Sequence, residues 1–190
     1  MRRAAKILVA GSRHISRLSK DVLKRLDKIV EQHFTIIIGD ANGVDKAVQQ
    51  YLSRTHYESV VVFCMEGVCR NNVGGWPMRA IAAPEPSRRD FSYYSIKDQL
   101  MVEEADYGLM IWDGKSRGTL RSIVDLVDRS KPAIVYVVPE KCFHSLRNRE
   151  DLTKMLGGYD RASSILDQRP TVQTRKSHHH NDARRLFVEQ

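Results

Sequence analysis

Apolar positions along the chain fall into two alternating patterns. Five short continuous runs, typical of buried strands in a parallel sheet, are "KILVAG" (6–11), "FTIIIGD" (34–40), "SVVVFCM" (59–65), "YGLMIW" (107–112) and "AIVYVV" (133–138). Between these runs, apolar residues recur at helical spacing in residues 19–32, 44–52 and 120–127. Ser19 is predicted to cap the first of these helices.

Strands that alternate with helices predict an α/β fold with a parallel sheet. We predict a doubly wound, Rossmann-like sheet of about five strands in the order 3-2-1-4-5, with helices on both faces. Residues 1–145 are expected to form this domain, with a long loop insertion at 65–94, and residues 146–190 a polar C-terminal appendage. Such sheets bind ligands beyond the carboxyl ends of the strands where the strand order reverses, which is here between the first and fourth strands.

Three glycine-containing loops follow strands at that edge: "GSRH" (11–14), "GDANGVD" (39–45) and "WDGKSRGT" (112–119). Glycine permits a tight turn or a close approach to a ligand, and each loop is expected to feed a helix whose first N–H groups attract an anion. Any one loop alone is better explained as an ordinary turn, but three at one edge favour a binding site. The ligand-binding residues predicted from these loops are Gly11, Ser12, Arg13, Gly39, Asp40, Ala41, Asn42, Gly43, Asp45, Asp113, Gly114, Lys115, Ser116, Gly118 and Thr119.

Two common nucleotide fingerprints are absent from these loops. The chain has no G-x-x-x-x-G-K-[ST] loop, and only "GSRHIS" stands where a dinucleotide site needs G-x-G-x-x-G. ATP hydrolysis and hydride transfer are therefore disfavoured, and no cofactor is predicted.

The net positive charge of the chain favours an anionic partner. The formal net charge is +8, and the first 30 residues carry nine basic against two acidic side chains. This excess attracts a nucleotide, a polynucleotide or an acidic protein, although a solvated helix face explains it as well. No apolar stretch suits a signal peptide or a membrane span, so we predict a cytoplasmic protein that has no membrane partner.

The cysteines and histidines give no metal pattern. Cys64, Cys69 and Cys142 are an odd, scattered set that fits reduced thiols, and no four-ligand zinc spacing occurs. Residues 178–180 are three consecutive histidines in a polar tract, for which solvent exposure is the favoured interpretation. No metal site is predicted.

The segment 65–94 is much longer than an ordinary connection. It contains Trp76, Arg88, Arg89 and the aromatic stretch "FSYY". Aromatic rings beside guanidinium groups suit base stacking and phosphate contacts, but the same rings also suit anchoring of the loop to the core. Both interpretations stay open.

Taken together, "GSR", "GDANGVDKAV" and "KDQLMVEEADYGLMIWDGKSRGT" resemble the SLOG superfamily over residues 6–138. This Rossmann-like group joins the DNA-processing protein DprA to the LOG-type nucleotide hydrolases. The resemblance implies a pocket for a nucleotide or nucleotide derivative, lined by the three loops. Because the group includes hydrolases, ligand sensors and single-strand DNA binders, the resemblance alone does not choose among these functions.

The departures from the family bear on catalysis. Where LOG-type hydrolases resemble "PGGxGTxxE", this chain has Ser122 at the glutamate position, and Asp125 lies about one helical turn further on. Where relatives carry an arginine before the fourth strand, Lys97 and Asp98 stand instead, and Lys97 is added to the predicted ligand-binding residues. The candidate catalytic carboxylates are Asp45, Asp98 and Asp113, with Asp40 also considered. Each has a structural alternative as a helix cap, a turn residue or a partner of a helix dipole.

We therefore predict a homo-oligomeric module that binds a nucleotide-derived ligand without turning it over. The alternative is an N-glycosidic hydrolase or transferase that acts on a nucleoside or nucleotide. A third hypothesis is a DprA-like binder of single-stranded nucleic acid, which is possible but not favoured because most of the basic residues belong to a predicted helix.

Overall fold

The computed structural model describes residues 4–82 and 91–159. Its elements, in chain order, are β1 (Lys6–Gly11), α1 (Lys20–Glu31), β2 (Thr35–Gly39), α2 (Val44–Arg54), β3 (Val60–Met65), β4 (Met78–Ile81), α3 (Phe91–Glu104), β5 (Tyr107–Trp112), α4 (Arg117–Asp128), β6 (Ala133–Val137), β7 (Cys142–Leu146) and α5 (Arg149–Leu156). In the described part of the chain, no helix has the length and apolar character needed to cross a membrane.

The strands form a sheet in the order β4-β3-β2-β1-β5-β6-β7. The five predicted strands are its centre, they pair in parallel, and they follow the predicted order 3-2-1-4-5. The number of strands is corrected by one strand at each edge: β4 pairs in parallel with β3, and β7 pairs antiparallel with β6. These edge strands escaped prediction because they are short and a polar residue interrupts the apolar residues of each, so neither contains a continuous apolar run. Three of the four residues of β4 are exposed.

Helices cover both faces of the sheet. On one face, Val22, Leu26 and Ile29 of α1 and Val48 and Leu52 of α2 pack against alternate residues of the central strands. On the other face lie buried apolar residues of α3, α4 and α5, namely Met101, Val102, Leu120, Ile123, Val127, Leu152 and Met155. The helices and the sheet therefore have the doubly wound arrangement that the sequence predicts.

Local sequence explains where most of these helices begin. Ser19 caps α1, because its Oγ accepts a hydrogen bond from the Val22 N–H at 3.3 Å, as predicted. Ser116 caps α4 in the same way through the Thr119 N–H. Gly43 caps α2 with a φ of 82°, a left-handed conformation that favours glycine.

The predicted insertion and the predicted C-terminal appendage both contain regular secondary structure. Strand β4 lies inside the predicted insertion 65–94, and Trp76 of that insertion is buried, with its Nε1 donating to the Tyr57 carbonyl at 2.8 Å. The predicted appendage starts within β7 and continues into α5, whose Leu152 belongs to the core. Arg88, Arg89 and the histidines at 178–180 lie outside the described residues, and the domain boundary at 145 stays a prediction.

Candidate functional site

A cavity of about 680 Å³ lies beside β1 and β5, at the point where the strand order reverses. Its apolar floor includes Leu8 and Ala10 of β1 and Met110 of β5. Residues of α3, the first turns of α4 and the loops after β1, β2, β3 and β5 form the walls. The cavity thus lies at the carboxyl ends of the strands and at the switch point, as expected for this fold.

Ser12 joins the loops at the centre of the site. This residue is fully buried, its N–H donates to the Ile111 carbonyl at 3.0 Å, and its Oγ accepts from the Asp113 N–H at 3.2 Å. Its carbonyl also accepts from the N–H of Val44, the first residue of α2. A Cβ on the neighbouring Gly11 would lie 2.3 Å from the Ile111 carbonyl oxygen, so glycine is required for this close approach. Ser12 therefore positions the cavity wall from behind.

Helix α1 is further from the site than predicted. It begins at Lys20, nine residues after Gly11, the last residue of β1, because Ser19 caps it. None of its residues lines the cavity. The expected convergence of three helix N-termini is therefore reduced to those of α2, which contributes Asp45, and α4, which contributes its first turns.

Arg70 ties the loop after β3 to the loop after β2. Its Nε and Nη2 donate to the two carboxylate oxygens of Asp40 at 3.0 and 2.8 Å, and its backbone N–H donates to the same group at 3.1 Å. Burial opposes ionisation of Asp40, but these hydrogen bonds outweigh it and hold the pKa of Asp40 below its ordinary value. The guanidinium groups of Arg70 and Arg13 also lie 4.7 and 5.3 Å from the centre of the Tyr94 ring. Tyr94 thus forms an aromatic wall fixed by two cations.

A buried ionic cluster lies below that wall. Lys97 is 3% exposed, and its Nζ is 3.2 Å from Asp98 Oδ1 and 3.8 Å from Asp40 Oδ1. A Cβ on Gly39 would lie 2.8 Å from this Nζ and 2.5 Å from Asp45 Oδ2, so the glycine makes room for both groups.

Asp45 is the carboxyl group with the most altered ionisation in this cluster. Burial raises the pKa of Asp45 to about 7, against the opposing influence of Lys97, and the charges of Asp98 and Asp40 raise it further. Its Oδ2 accepts a hydrogen bond from the Ala41 N–H at 3.2 Å. This pKa lies near neutral pH, the range that suits a general acid or base.

Asp113 serves the turn after β5. Its Oδ1 accepts from the N–H groups of Lys115 and Ser116 at 2.9 and 2.7 Å. Partial burial opposes its ionisation, but these backbone hydrogen bonds prevail and lower the pKa of Asp113. This carboxylate shapes the "DGKSRGT" loop, which was the structural alternative considered for it.

Ser122, which the resemblance aligns with the glutamate of LOG-type hydrolases, lines the cavity. The Ser122 Oγ donates to the Gly118 carbonyl at 3.3 Å. Asp125, one turn further along α4, is not among the residues that line the cavity. No carboxylate of α4 therefore reaches this cavity in the described structure.

The structure sorts the predicted site residues into two groups. Those that line the cavity are Gly11, Arg13, Ala41, Asp45, Lys97, Asp113, Lys115, Ser116, Gly118 and Thr119, together with the catalytic candidate Asp98. Those that do not line the cavity are Ser12, Gly39, Asp40, Asn42, Gly43 and Gly114. Lining residues that were not predicted to bind the ligand are Leu8, Ala10, His14, Arg70, Tyr94, Met101, Met110 and Arg117, of which His14 and Arg117 belong to two of the predicted loops. Arg70 and Tyr94 do belong to the long segment in which arginines beside aromatic residues suggested ligand contacts.

The chain folds as a Rossmann-like α/β domain: a seven-stranded, mostly parallel sheet lies between helices and has a cavity at its switch point. No family model matches the chain, and no curated protein matches it in sequence. The fold is similar to that of DNA processing protein A from Helicobacter pylori, which binds single-stranded DNA, with a TM-score of 0.55 and 15% identity over 85% of this chain and 80% of that chain. It is also similar to the molybdenum cofactor binding protein from the phototrophic bacterium Rippkaea orientalis, with a TM-score of 0.54 and 16% identity over 83% of this chain and 87% of that chain. At these identities the comparisons establish the fold alone.

Proposed function

We propose that this chain is a SLOG-like domain that binds a nucleotide or nucleotide-derived ligand in the switch-point cavity. The observation that carries the proposal is the meeting, in one cavity, of an apolar floor, an aromatic wall and the cationic N-terminal turn of α4. Its volume of about 680 Å³ lies within the range of roughly 300 to 1,000 Å³ that small-molecule sites occupy.

The phosphate end of the ligand is assigned to the start of α4. Ser116, Gly118 and Thr119 line the cavity there. Because the Ser116 and Thr119 N–H groups already donate to Asp113 and to the Ser116 hydroxyl, the N–H groups of Arg117 and Gly118 and the helix dipole are assigned to the anion. Lys115 and Arg117 lie beside this turn and are exposed, so both are available to pair with phosphate oxygens.

The nucleoside end is assigned to the opposite wall. Tyr94, with the Arg13 and Arg70 guanidinium groups packed on its ring, presents a surface against which a base can stack, and Met101 and Met110 supply apolar contact. His14 and Arg13 border this wall from the loop after β1. A ligand with an anionic group at one end and a flat, partly apolar group at the other complements this distribution.

Mono- or dinucleotides are expected to raise the melting temperature of the protein. A ligand at 100 times its Kd adds about 2.7 kcal/mol of stability, which corresponds to roughly 5 to 10 °C for a chain of this size. Gly118→Val places a branched side chain in the phosphate turn and is expected to abolish the shift. Gly157→Val is the matched control, because Gly157 lies outside the cavity and a Cβ there meets no atom closer than 3.5 Å. Thermal unfolding with a panel of nucleotides measures both variants.

A single-stranded oligonucleotide belongs in the same panel, because a protein of similar fold binds single-stranded DNA. We expect only weak binding that falls steeply with salt, since the exposed Lys20, Lys24 and Lys28 lie on α1, away from the cavity. A tight complex near physiological salt, with no shift from any nucleotide, would replace the proposed function with the DprA-like one.

Asp45 supports a second candidate function, the N-glycosidic hydrolysis of a nucleoside or nucleotide. Its carboxyl group lines the cavity, and its pKa of about 7 suits proton transfer at neutral pH. Against this function, Ser122 carries no charge to stabilise a ribosyl cation, and the Asp113 carboxylate is held by its own turn.

We expect no release of free base when the protein is incubated with nucleoside monophosphates, deoxynucleosides and dinucleotides. The reason is that loss of a charge-stabilising group at such a site removes two to three orders of magnitude in rate, by analogy with loss of an oxyanion-hole donor. Chromatography of the products is the measurement. Release at catalytic rates that disappears in Asp45→Asn, and persists in Asp125→Asn outside the cavity, would establish the hydrolase instead.

A further inference from the structure

Three metal-ligating side chains meet in the turn between β6 and β7. Cys142 and His144 lie two residues apart on β7 and therefore on the same face of that strand, and Glu140 precedes them in the turn. The Cys142 Sγ, the His144 Nε2 and a Glu140 carboxylate oxygen all lie within 4.8 Å of one another. None of the three residues lines the cavity described above.

The spacing of these atoms is close to that of a tetrahedral metal site. Zn²⁺ with bonds of about 2.0 to 2.3 Å to oxygen, nitrogen and sulfur holds such ligand atoms roughly 3.3 to 3.5 Å apart. Cys142 Sγ is 3.3 Å from His144 Nε2 and 3.4 Å from Glu140 Oε2. Glu140 Oε2 and His144 Nε2 are 2.7 Å apart, so the carboxylate needs to move outward by about 0.6 Å. The partly exposed Glu140 side chain in a turn has the freedom for that movement.

A neighbouring group orients the carboxylate. The Tyr159 hydroxyl donates to the other oxygen of Glu140, Oε1, at 2.8 Å, and leaves Oε2 turned toward Cys142 and His144. The Tyr159 ring is itself fixed by packing against Trp112, with ring centres 4.9 Å apart. Hydrogen bonds of this kind to the second oxygen of a carboxylate are the usual support of a metal ligand.

We propose that Glu140, Cys142 and His144 bind a Zn²⁺ ion, with water as the fourth ligand. One thiolate, one imidazole and one carboxylate are a mixed donor set of borderline softness, which suits Zn²⁺ and disfavours Mg²⁺ and Ca²⁺, since those ions select oxygen. On binding, the Cys142 thiol loses its proton to solvent as the sulfur–zinc bond forms. The spacing of cysteines in the sequence gave no sign of this site, because only one of its ligands is a cysteine.

Cobalt substitution tests the proposal directly. Every protein in the experiment carries alanine at 178–180, so that the three consecutive histidines there bind no metal. Titration of the full chain with Co²⁺ is expected to give one equivalent of binding, visible d–d bands of four-coordinate cobalt and a thiolate-to-cobalt charge-transfer band. Zn²⁺ added afterwards displaces the cobalt, and its Kd is expected below about 10 µM.

Variants separate the three ligands from other thiols. Cys142→Ser is expected to remove the charge-transfer band, whereas Cys69→Ser keeps it, because Cys69 lies elsewhere in the fold. Glu140→Gln keeps the band and weakens Co²⁺ binding at least tenfold, which tests the site with the thiol intact. Absence of the band in the protein with Cys142 present, its survival in Cys142→Ser, or unchanged affinity in Glu140→Gln would overturn the proposal. Circular dichroism confirms that each variant is folded.

Discussion

Gly43→Ala is expected to lower the free energy of unfolding by about 3 kcal/mol. Gly43 has a φ of 82° and a ψ of −129°, a region that alanine enters only with strain. A Cβ at this position would also lie 2.4 Å from the carbonyl oxygen and 2.5 Å from the carbonyl carbon of Arg13. Because both atoms belong to backbone, the collision is relieved only by moving the loop after β1 or the start of α2. Urea denaturation measures the loss.

Gly75→Ala is the matched control for that substitution. Gly75 also has a positive φ, of 66°, but a Cβ there meets no atom within 4 Å. Only the conformational cost of about 1 kcal/mol is expected. Equal losses in the two variants would show that crowding by Arg13 contributes nothing to the requirement for glycine at 43.

Asp45→Asn is expected to change how stability depends on pH. The pKa of Asp45 is about 7 in the folded chain, and its ordinary value, which applies to the unfolded chain, is 3.8. Between pH 3.8 and pH 7 the folded state therefore holds a proton that the unfolded state has released. Stability therefore falls as pH rises from about 4 to 7, and the full penalty is present above pH 7. Three pH units correspond to roughly 4 kcal/mol as an upper limit. Asparagine keeps the shape and removes the penalty.

The measurement is the difference in unfolding free energy between the parent chain and Asp45→Asn, from pH 4.5 to 8.5. The difference is expected to grow in favour of the variant as pH rises. Asp113→Asn is the control: because the pKa of Asp113 is lowered from its ordinary value of 3.8, its stabilising contribution is complete above about pH 4, so the difference between this variant and the parent chain is expected to stay constant from pH 4.5 to 8.5. A difference between Asp45→Asn and the parent chain that stays constant with pH would contradict the prediction.

Much of the sheet was predictable because its central strands are buried on both faces. Such strands read as continuous apolar runs, and all six residues of "YGLMIW" are indeed buried. The alternation with amphipathic helices then predicted a doubly wound sheet, and the order predicted for the five central strands is the observed one. Capping chemistry placed the start of α1 at Ser19 because a serine side chain acts over only three residues.

Helix α3 could not be predicted in the same way. Its apolar residues do not form one stripe, and its buried positions include Lys97 beside Met101 and Val102, so helical periodicity is weak. Lys97 is stabilised in its buried position by Asp98, its neighbour on the same helix, and by Asp40 from the loop after β2. Arg70 is likewise held at the cavity by its hydrogen bonds to Asp40, which lies 30 residues earlier in the chain. Periodicity reports on neighbours along the chain, whereas these contacts depend on how the elements pack.

Several predictions made from the sequence are not tested by the structure. The cytoplasmic location, the homo-oligomer and the nature of residues 160–190 stay predictions. The strand count, by contrast, is corrected, since both edge strands carry polar or exposed residues that no apolar pattern announces.

The two edge strands also constrain how copies of this chain can assemble. Strand β4 has four residues and follows Pro77, and β7 has five residues, with only Leu146 buried. Short edges flanked by proline or carrying polar side chains are poor templates for another strand. Growth of the sheet from one molecule into the next is therefore disfavoured at either end. A dimer of this protein is expected to form through its helical surfaces and not by pairing of edge strands.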